Sequence, residues 1–197
     1  MMTTADTAVG PTTHGCRMVF VGTSGSGKTT LARQVARRLG LPHVELDAIR
    51  HQANWVEMPD DLFRQRVADI VAGDEWVIDG NYGIVRDLTF GRATQVVWLD
   101  LPRSTVMRQV IWRSFCRAAL GQELWNGNRE PFTAWLRADH PIRWAWSTHA
   151  RRRAEFEAQF GAHWYRLRSR REAQQWLATL PRPGVTPTLL GDADGDR

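Results

Sequence analysis

The chain reads as an α/β protein, a three-layer α/β/α sandwich around a five-stranded parallel sheet, on three observations. Short apolar runs, each long enough for one buried strand, alternate with stretches of helical periodicity, which is the pattern of crossover units. The first of these runs, at 19–21, leads into GTSGSGKTT, which fits the GxxxxGK(S/T) pattern of a phosphate-binding loop with Gly22, Gly27, Lys28 and Thr29 at the defining places. Later runs end on aspartates, Asp47, Asp79 and Asp100, at the carboxyl edge of the strands where ligands of such sheets gather.

Taken in order, residues 1–15 lack periodicity and are expected to form a disordered leader. A strand at 16–21 is apolar enough to lie inside a parallel sheet, and a helix at 28–39 carries Leu31, Val35 and Leu39 on one face before Gly40 and Pro42 stop it. A second strand is expected at 43–46. The segment 48–59 is less regular and holds His51, Asn54 and Trp55. Asp60 or Asp61 then caps a helix whose inner face is Leu62, Phe63, Val67, Ile70 and Val71. The third strand, 76–78, runs into Asp79-Gly80-Asn81-Tyr82, and the fourth, 94–99, ends at Asp100. Pro102 opens a helix reaching about Leu120 with Arg103, Arg108, Arg113 and Arg117 along it. A loop at 121–131 and a charged helix at 142–160 follow, then a fifth strand at 164–167 and a last helix at 170–180. Residues 181–197, rich in proline and late aspartates, are expected to be a disordered tail, which leaves one folded unit at 16–180.

The formal charge is +5, and it is uneven: 14 arginines stand against 5 acids between Arg103 and Arg171. A basic balance suits either a nucleic acid or an anionic nucleotide and does not choose between them. Two cysteines, Cys16 and Cys116, are too few for a disulfide framework, and no apolar run approaches the ~20 residues of a membrane span. A cytoplasmic protein with no membrane partner is the expectation, and its oligomeric state is open.

The loop has a mechanical logic. Glycines allow positive φ and close approach, so that successive N–H groups turn inward around an anion, and the helix that follows aims its unpaired N–H groups and positive dipole end at the same place. The backbone of Gly22, Thr23, Ser24, Gly25, Ser26, Gly27, Lys28, Thr29 and Thr30 is therefore the expected cradle for ATP, with Lys28 reaching the β- and γ-phosphates and the Thr29 hydroxyl ligating Mg2+. Lys28 is the only lysine, against 25 arginines, so a compact ammonium occurs only where one must slide beneath phosphates.

The segments GTSGSGKTT, VELDAIRHQANWVEMP, EWVIDGNYG, VVWLDLPRSTVMRQVIWR and YRLRSRREAQQWL together resemble the small P-loop kinases of the adenylate-kinase-like group, most of all the sub-family called DNA topology modulation proteins. The resemblance covers most of 17–180 and implies a P-loop nucleoside-triphosphate hydrolase fold with a short helical lid at about 113–140. It implies that Asp79 faces the Mg2+ site, with Asp100 the competitor or else a cap for the helix at Pro102. It implies that Asp47 orients or deprotonates the acceptor hydroxyl, although a cap for the chain from Ala48 onward explains it equally well. His51 and Trp55, just downstream, are candidates for the acceptor pocket. Arg86 lies where relatives hold the acceptor with a basic residue, and Arg113 where they fold an arginine over the transferring group. Arg108 stands one place early, with Gln109 in the expected slot, and Arg168 and Ser169 resemble the segment that passes the adenine. The lid loop GQELWNGNRE has no Cys or His pair, so no structural metal is expected in it.

The leading expectation is an ATP- and Mg2+-dependent phosphotransferase acting on a small-molecule, nucleoside or nucleotide acceptor, with Lys28, Asp47, Asp79 and Arg113 as its catalytic groups. The alternative is a nucleic-acid-binding regulatory ATPase, for which Trp135, Trp144 and Trp146 among the arginines are the only base-stacking candidates. No helix-turn-helix or zinc signature supports it, and no Asn-Lys-x-Asp segment supports a GTPase.

Overall fold

A computed structural model describes residues 15–130, 132, 133 and 140–181. The expected leader (apart from Gly15), the tail beyond residue 181, part of the lid and Trp135 lie outside the described residues. Five parallel strands form one sheet in the order β2-β3-β1-β4-β5: β1 Arg17–Gly22, β2 His43–Glu45, β3 Trp76–Asp79, β4 Gln95–Leu99 and β5 Trp164–Leu167. The helices are α1 Lys28–Leu39, α2 Leu46–Arg50, α3 Asp60–Val71, α4 Arg86–Arg92, α5 Arg103–Ala119, α6 Pro141–Gln159 and α7 Arg170–Thr179.

Strand periodicity sorts the core into two layers. In β1, Met18 and Phe20 face α1 and α7, joining Leu31, Val35, Val97, Leu167 and Ala173. Val19 and Val21 point the other way, into Phe63, Val67 and Val71 of α3 and Phe156 of α6. Helices on both faces of a parallel sheet make the three-layer sandwich. A third, smaller cluster joins Val106 and Val110 of α5 to Ala145 of α6, and this holds α5 across the carboxyl edge.

Local expectations fail in a few places. Leu46 leaves the second strand early and begins α2, so Asp47 stands in the first turn of a helix and does not cap one. Neither Asp60 nor Asp61 caps α3, whose N-cap is Pro59 with no side-chain bond; Asp60 instead pairs with Arg50 at 2.6 Å. Helix α4 has no counterpart in the sequence reading, because RDLTFGR is too short to show a helical period. Ser169 caps α7, accepting from the Glu172 N–H at 3.1 Å, while the Glu172 carboxylate accepts from the Arg168 N–H one residue before the cap, a variant of the capping box. Among the described residues no helix is long and apolar enough to cross a membrane.

Candidate active site

The carboxyl edge opens into one cavity of about 1780 Å³, large enough for two small ligands side by side. At one end lies the glycine loop. Gly27, with φ 90°, is the N-cap of α1, and the α1 N-terminus has no side-chain cap to occupy its N–H groups. Ser24 through Thr30 line the cavity, whereas Gly22 and Thr23 are buried behind the loop. Lys28 makes no hydrogen bond or ion pair with any described residue, and the buried Ser26 Oγ also has no partner. Gly25, at φ 83°, lies against α5, where an added Cβ would come within 2.9 Å of Val110 Cβ. Asn81, given no role by the sequence reading, brackets the start of the loop: its Oδ1 accepts from Gly22 N at 3.4 Å and its Nδ2 donates to Gly22 O. Asn81 lies in the run Asp79-Gly80-Asn81-Tyr82, but only the alignment of β1 beside β3 shows what its amide reaches.

Thr29 Oγ1 donates to Asp79 Oδ1 at 2.7 Å, and Asp79 Oδ2 lies 2.8 Å from His43 Nε2. Register makes this possible, since β3 is adjacent to β1 and Glu45 pairs with Asp79 in the parallel ladder. Ligand atoms of His43, Glu45 and Asp79 lie within 4.8 Å of one another, next to the Thr29 hydroxyl. The donors fit Mg2+: a hydroxyl and a buried carboxylate at the N-terminus of the phosphate-loop helix are the hard oxygens that it prefers. Asp100 belongs to another system and caps nothing: Arg166 binds it at 2.8 Å, Arg153 at 3.2 Å, and Arg166 stacks on Trp98.

At the far end, Asp47 Oδ1 accepts from the Tyr82 hydroxyl at 2.6 Å, while Oδ2 takes no hydrogen bond from a described residue. Burial and the neighbouring carboxylate push the Tyr82 phenol well above its ordinary range. His51 Nε2 stands 3.4 Å from the same hydroxyl. Trp55 lines the cavity but also faces the lid, its indole N–H donating to Arg129 O at 3.1 Å. Arg86 lines the cavity with its charge shared with Glu155 at 3.5 Å and its guanidinium near the Phe90 and Phe156 rings. Arg113 is half-buried, and desolvation, with Arg117 second, pulls its ionisation down to about 10; its one hydrogen bond to a described residue is to Ser24 Oγ at 3.3 Å. A partly desolvated cation gains from meeting an anion. Arg152, which the sequence reading passed over, is half-buried on the same cavity with its guanidinium over Trp144 and no hydrogen bond or ion pair to a described residue. Gln109 lines the cavity, whereas Arg108 is exposed. Trp144 and Trp146 are each associated with an arginine of this chain, Arg152 and Arg103.

The fold that carries this site has counterparts among known proteins. Residues 18–73 fit the family model described as an AAA domain. The shikimate kinase of Bacteroides thetaiotaomicron superposes with a TM-score of 0.52 at 16% identity, covering 83% of this chain and 94% of that one. The fold is that of the small P-loop kinases. A shikimate kinase from Acinetobacter baumannii, in complex with shikimate, shares the P-loop kinase fold at a TM-score of 0.53 and 18% identity, over 82% of this chain and 90% of that one. In sequence, the shikimate kinase of Symbiobacterium thermophilum is 36% identical over 104 residues, which is 45% of this chain and 60% of that protein. The chain spans about 60% of the length of the curated relatives that it matches.

Proposed function

We propose that the protein is an ATP- and Mg2+-dependent phosphotransferase whose acceptor is a small, anionic compound bearing a hydroxyl group. One observation carries this: among the described residues, one cavity has an ammonium without a hydrogen bond or ion pair under a glycine loop at one end, and at the other a carboxylate with an unbonded oxygen and the Arg152 guanidinium, which has a ring contact but no ion pair. The loop N–H groups and Lys28 hold the β- and γ-phosphates; Thr29 and Asp79 hold Mg2+, which when bound neutralises charge on the phosphate oxygens. Asp47 Oδ2 orients the acceptor hydroxyl and takes its proton as that oxygen bonds to the γ-phosphorus. The bond from phosphorus to the β–γ bridging oxygen breaks, and ADP leaves. Arg113, behind Ser24, meets the charge that spreads over the equatorial oxygens. Arg152, with Arg86 nearby, gives the acceptor's anionic group a cation, and His51 and Trp55 wall the pocket. The shikimate kinases among the similar structures, one of them in complex with shikimate, support a small-molecule acceptor. A cytoplasmic setting, where ATP is abundant and the unpaired Cys16 and Cys116 stay reduced, belongs to the same reading. So does any link to the DNA topology modulation sub-family, whose regulatory sense we do not favour.

The test is transfer from labelled ATP into a panel of hydroxy acids, sugar phosphates, nucleosides and nucleotides. Acceleration of ATP turnover by an anionic hydroxyl compound is expected. Turnover unaffected by every compound, with steeply salt-dependent DNA affinity, would instead select the regulatory ATPase.

A further inference from the structure

Two loops of this chain share one architecture. Residues 51–57 and residues 123–129 are each closed by an isolated antiparallel bridge, His51 with Glu57 and Glu123 with Arg129. Inside the first, Gln52 N donates to Val56 O at 2.7 Å and Val56 N to Ala53 O at 3.4 Å; inside the second, Leu124 N donates to Asn128 O at 2.7 Å and Asn128 N to Trp125 O at 3.2 Å. The central residue of each is a left-handed asparagine, Asn54 at φ 58° and Asn126 at φ 55°.

The loops are docked on each other. Asn126 Nδ2 donates to Ala48 O at 3.2 Å and to His51 O at 2.5 Å. Asn128 uses both ends of its amide, donating to Gln52 O at 2.8 Å and accepting from Trp55 N at 2.8 Å. Trp125 stacks on His51 at 6.1 Å between centroids and 26° between planes, and its N–H donates to Glu45 Oε2 at 2.9 Å. Trp55 meets the same imidazole edge-on at 5.6 Å. His51 is thus held by two indoles and, at its carbonyl, by Asn126. Its Nε2 faces the Tyr82 hydroxyl, whose proton is donated to Asp47, and the buried Nδ1 has no partner. The direction of the chain follows: Nε2–H toward the phenol oxygen, and the phenol proton toward the carboxylate.

We propose that the 123–129 loop is a positioning element for the acceptor base: docked on the 51–57 loop, it holds His51 against Tyr82 and so keeps Asp47 aimed at the acceptor and shielded from water. This rests on the kinase reading of Asp47. Only the docked state favours transfer over hydrolysis, because a closed site excludes the competing water and completes the catalytic set. Asn126, Asn128 and Trp125 make no hydrogen bond to the phosphate loop or to the Asp47 side chain, so they reach the base through His51 and Tyr82 and through the backbone of Ala48 beside it.

The chain has two tyrosines, Tyr82 and Tyr165. In a Tyr165→Phe background, absorbance near 295 nm during alkaline titration reports Tyr82 alone, independently of any acceptor. Asn126→Ala combined with Asn128→Ala should make that phenol at least about ten-fold more acidic. The same variant should lower the transfer kcat about 30-fold or more, leave the ATP KM within about three-fold, and raise hydrolysis relative to transfer about ten-fold. Trp125→Leu, which leaves both asparagines in place, should move all three readouts in the same direction. An unchanged Tyr82 titration in both variants overturns the proposal whether or not an acceptor has been found. A shifted titration with an unchanged transfer-to-hydrolysis ratio overturns its catalytic part. If the parent protein transfers to nothing in the panel, the kinase reading fails by itself, and the titration still decides whether the loop holds Tyr82.

Discussion

Gly25 and Gly27 form a matched pair for testing how the phosphate loop is built. Both have left-handed φ, 83° and 90°, so alanine at either is strained by about 1–2 kcal/mol. They differ in what a methyl group would meet. At Gly27 nothing lies within 4 Å; at Gly25 the new carbon would be 2.9 Å from Val110 Cβ and 3.3 Å from Val106 O, both on α5. Forcing a methyl into that seam adds an overpacking cost of about 1–3 kcal/mol. Gly27→Ala should therefore cost about 1–2 kcal/mol in all and Gly25→Ala about 2–5 kcal/mol, the sum of the two effects. Urea unfolding followed by far-UV circular dichroism measures the difference, provided that the m-values agree. A second consequence follows from the address of the clash. Arg113 stands on α5 within reach of Ser24, so pushing α5 outward should lower transfer more in Gly25→Ala than in Gly27→Ala. Equal destabilisation by the two substitutions would show that α5 does not bear on the loop, and the account of how Arg113 is delivered would be lost with it.

Other outcomes follow from the same geometry. Lys28→Arg should abolish transfer while the unfolding free energy stays within about 1 kcal/mol, because a planar fork cannot replace a point charge under the phosphates; retained activity would contradict that role. Asp47→Asn should cut kcat by about 10²-fold or more with little change in ATP affinity, and equal losses in both would reduce Asp47 to a partner of Tyr82. Asn81→Ala strips two contacts from Gly22 and should weaken ATP binding about ten-fold by calorimetry; unchanged affinity would mean that the loop keeps its shape unaided.

Much of this protein is legible in one dimension. The phosphate loop, the strands and α1 follow from periods and glycines, because a buried parallel strand and a glycine turn before a helix are local patterns with local causes. The two-layer core follows from alternation within β1 once a parallel sheet is assumed. Asp47, Asp79 and Asp100 look alike in sequence, each a carboxylate after an apolar run. Strand order separated them: β3 lies against β1, which brings Asp79 to Thr29, whereas β4 lies against β5, which brings Asp100 to Arg166.

The site's long-range partners had no sequence signal. Asn81 reaches Gly22 across 59 positions, and Asn128 reaches Trp55 across 73. Arg152 looks like any member of an arginine run until α6 turns it toward the cavity with no ion pair to a described residue. Covalent order determines which residues bend, alternate or coil, since these depend on neighbours a few places away. Which carboxylate meets the hydroxyl, which cation is left unpaired and which loop lies on the base depend on how separate elements pack, and those contacts exist only after the chain has folded.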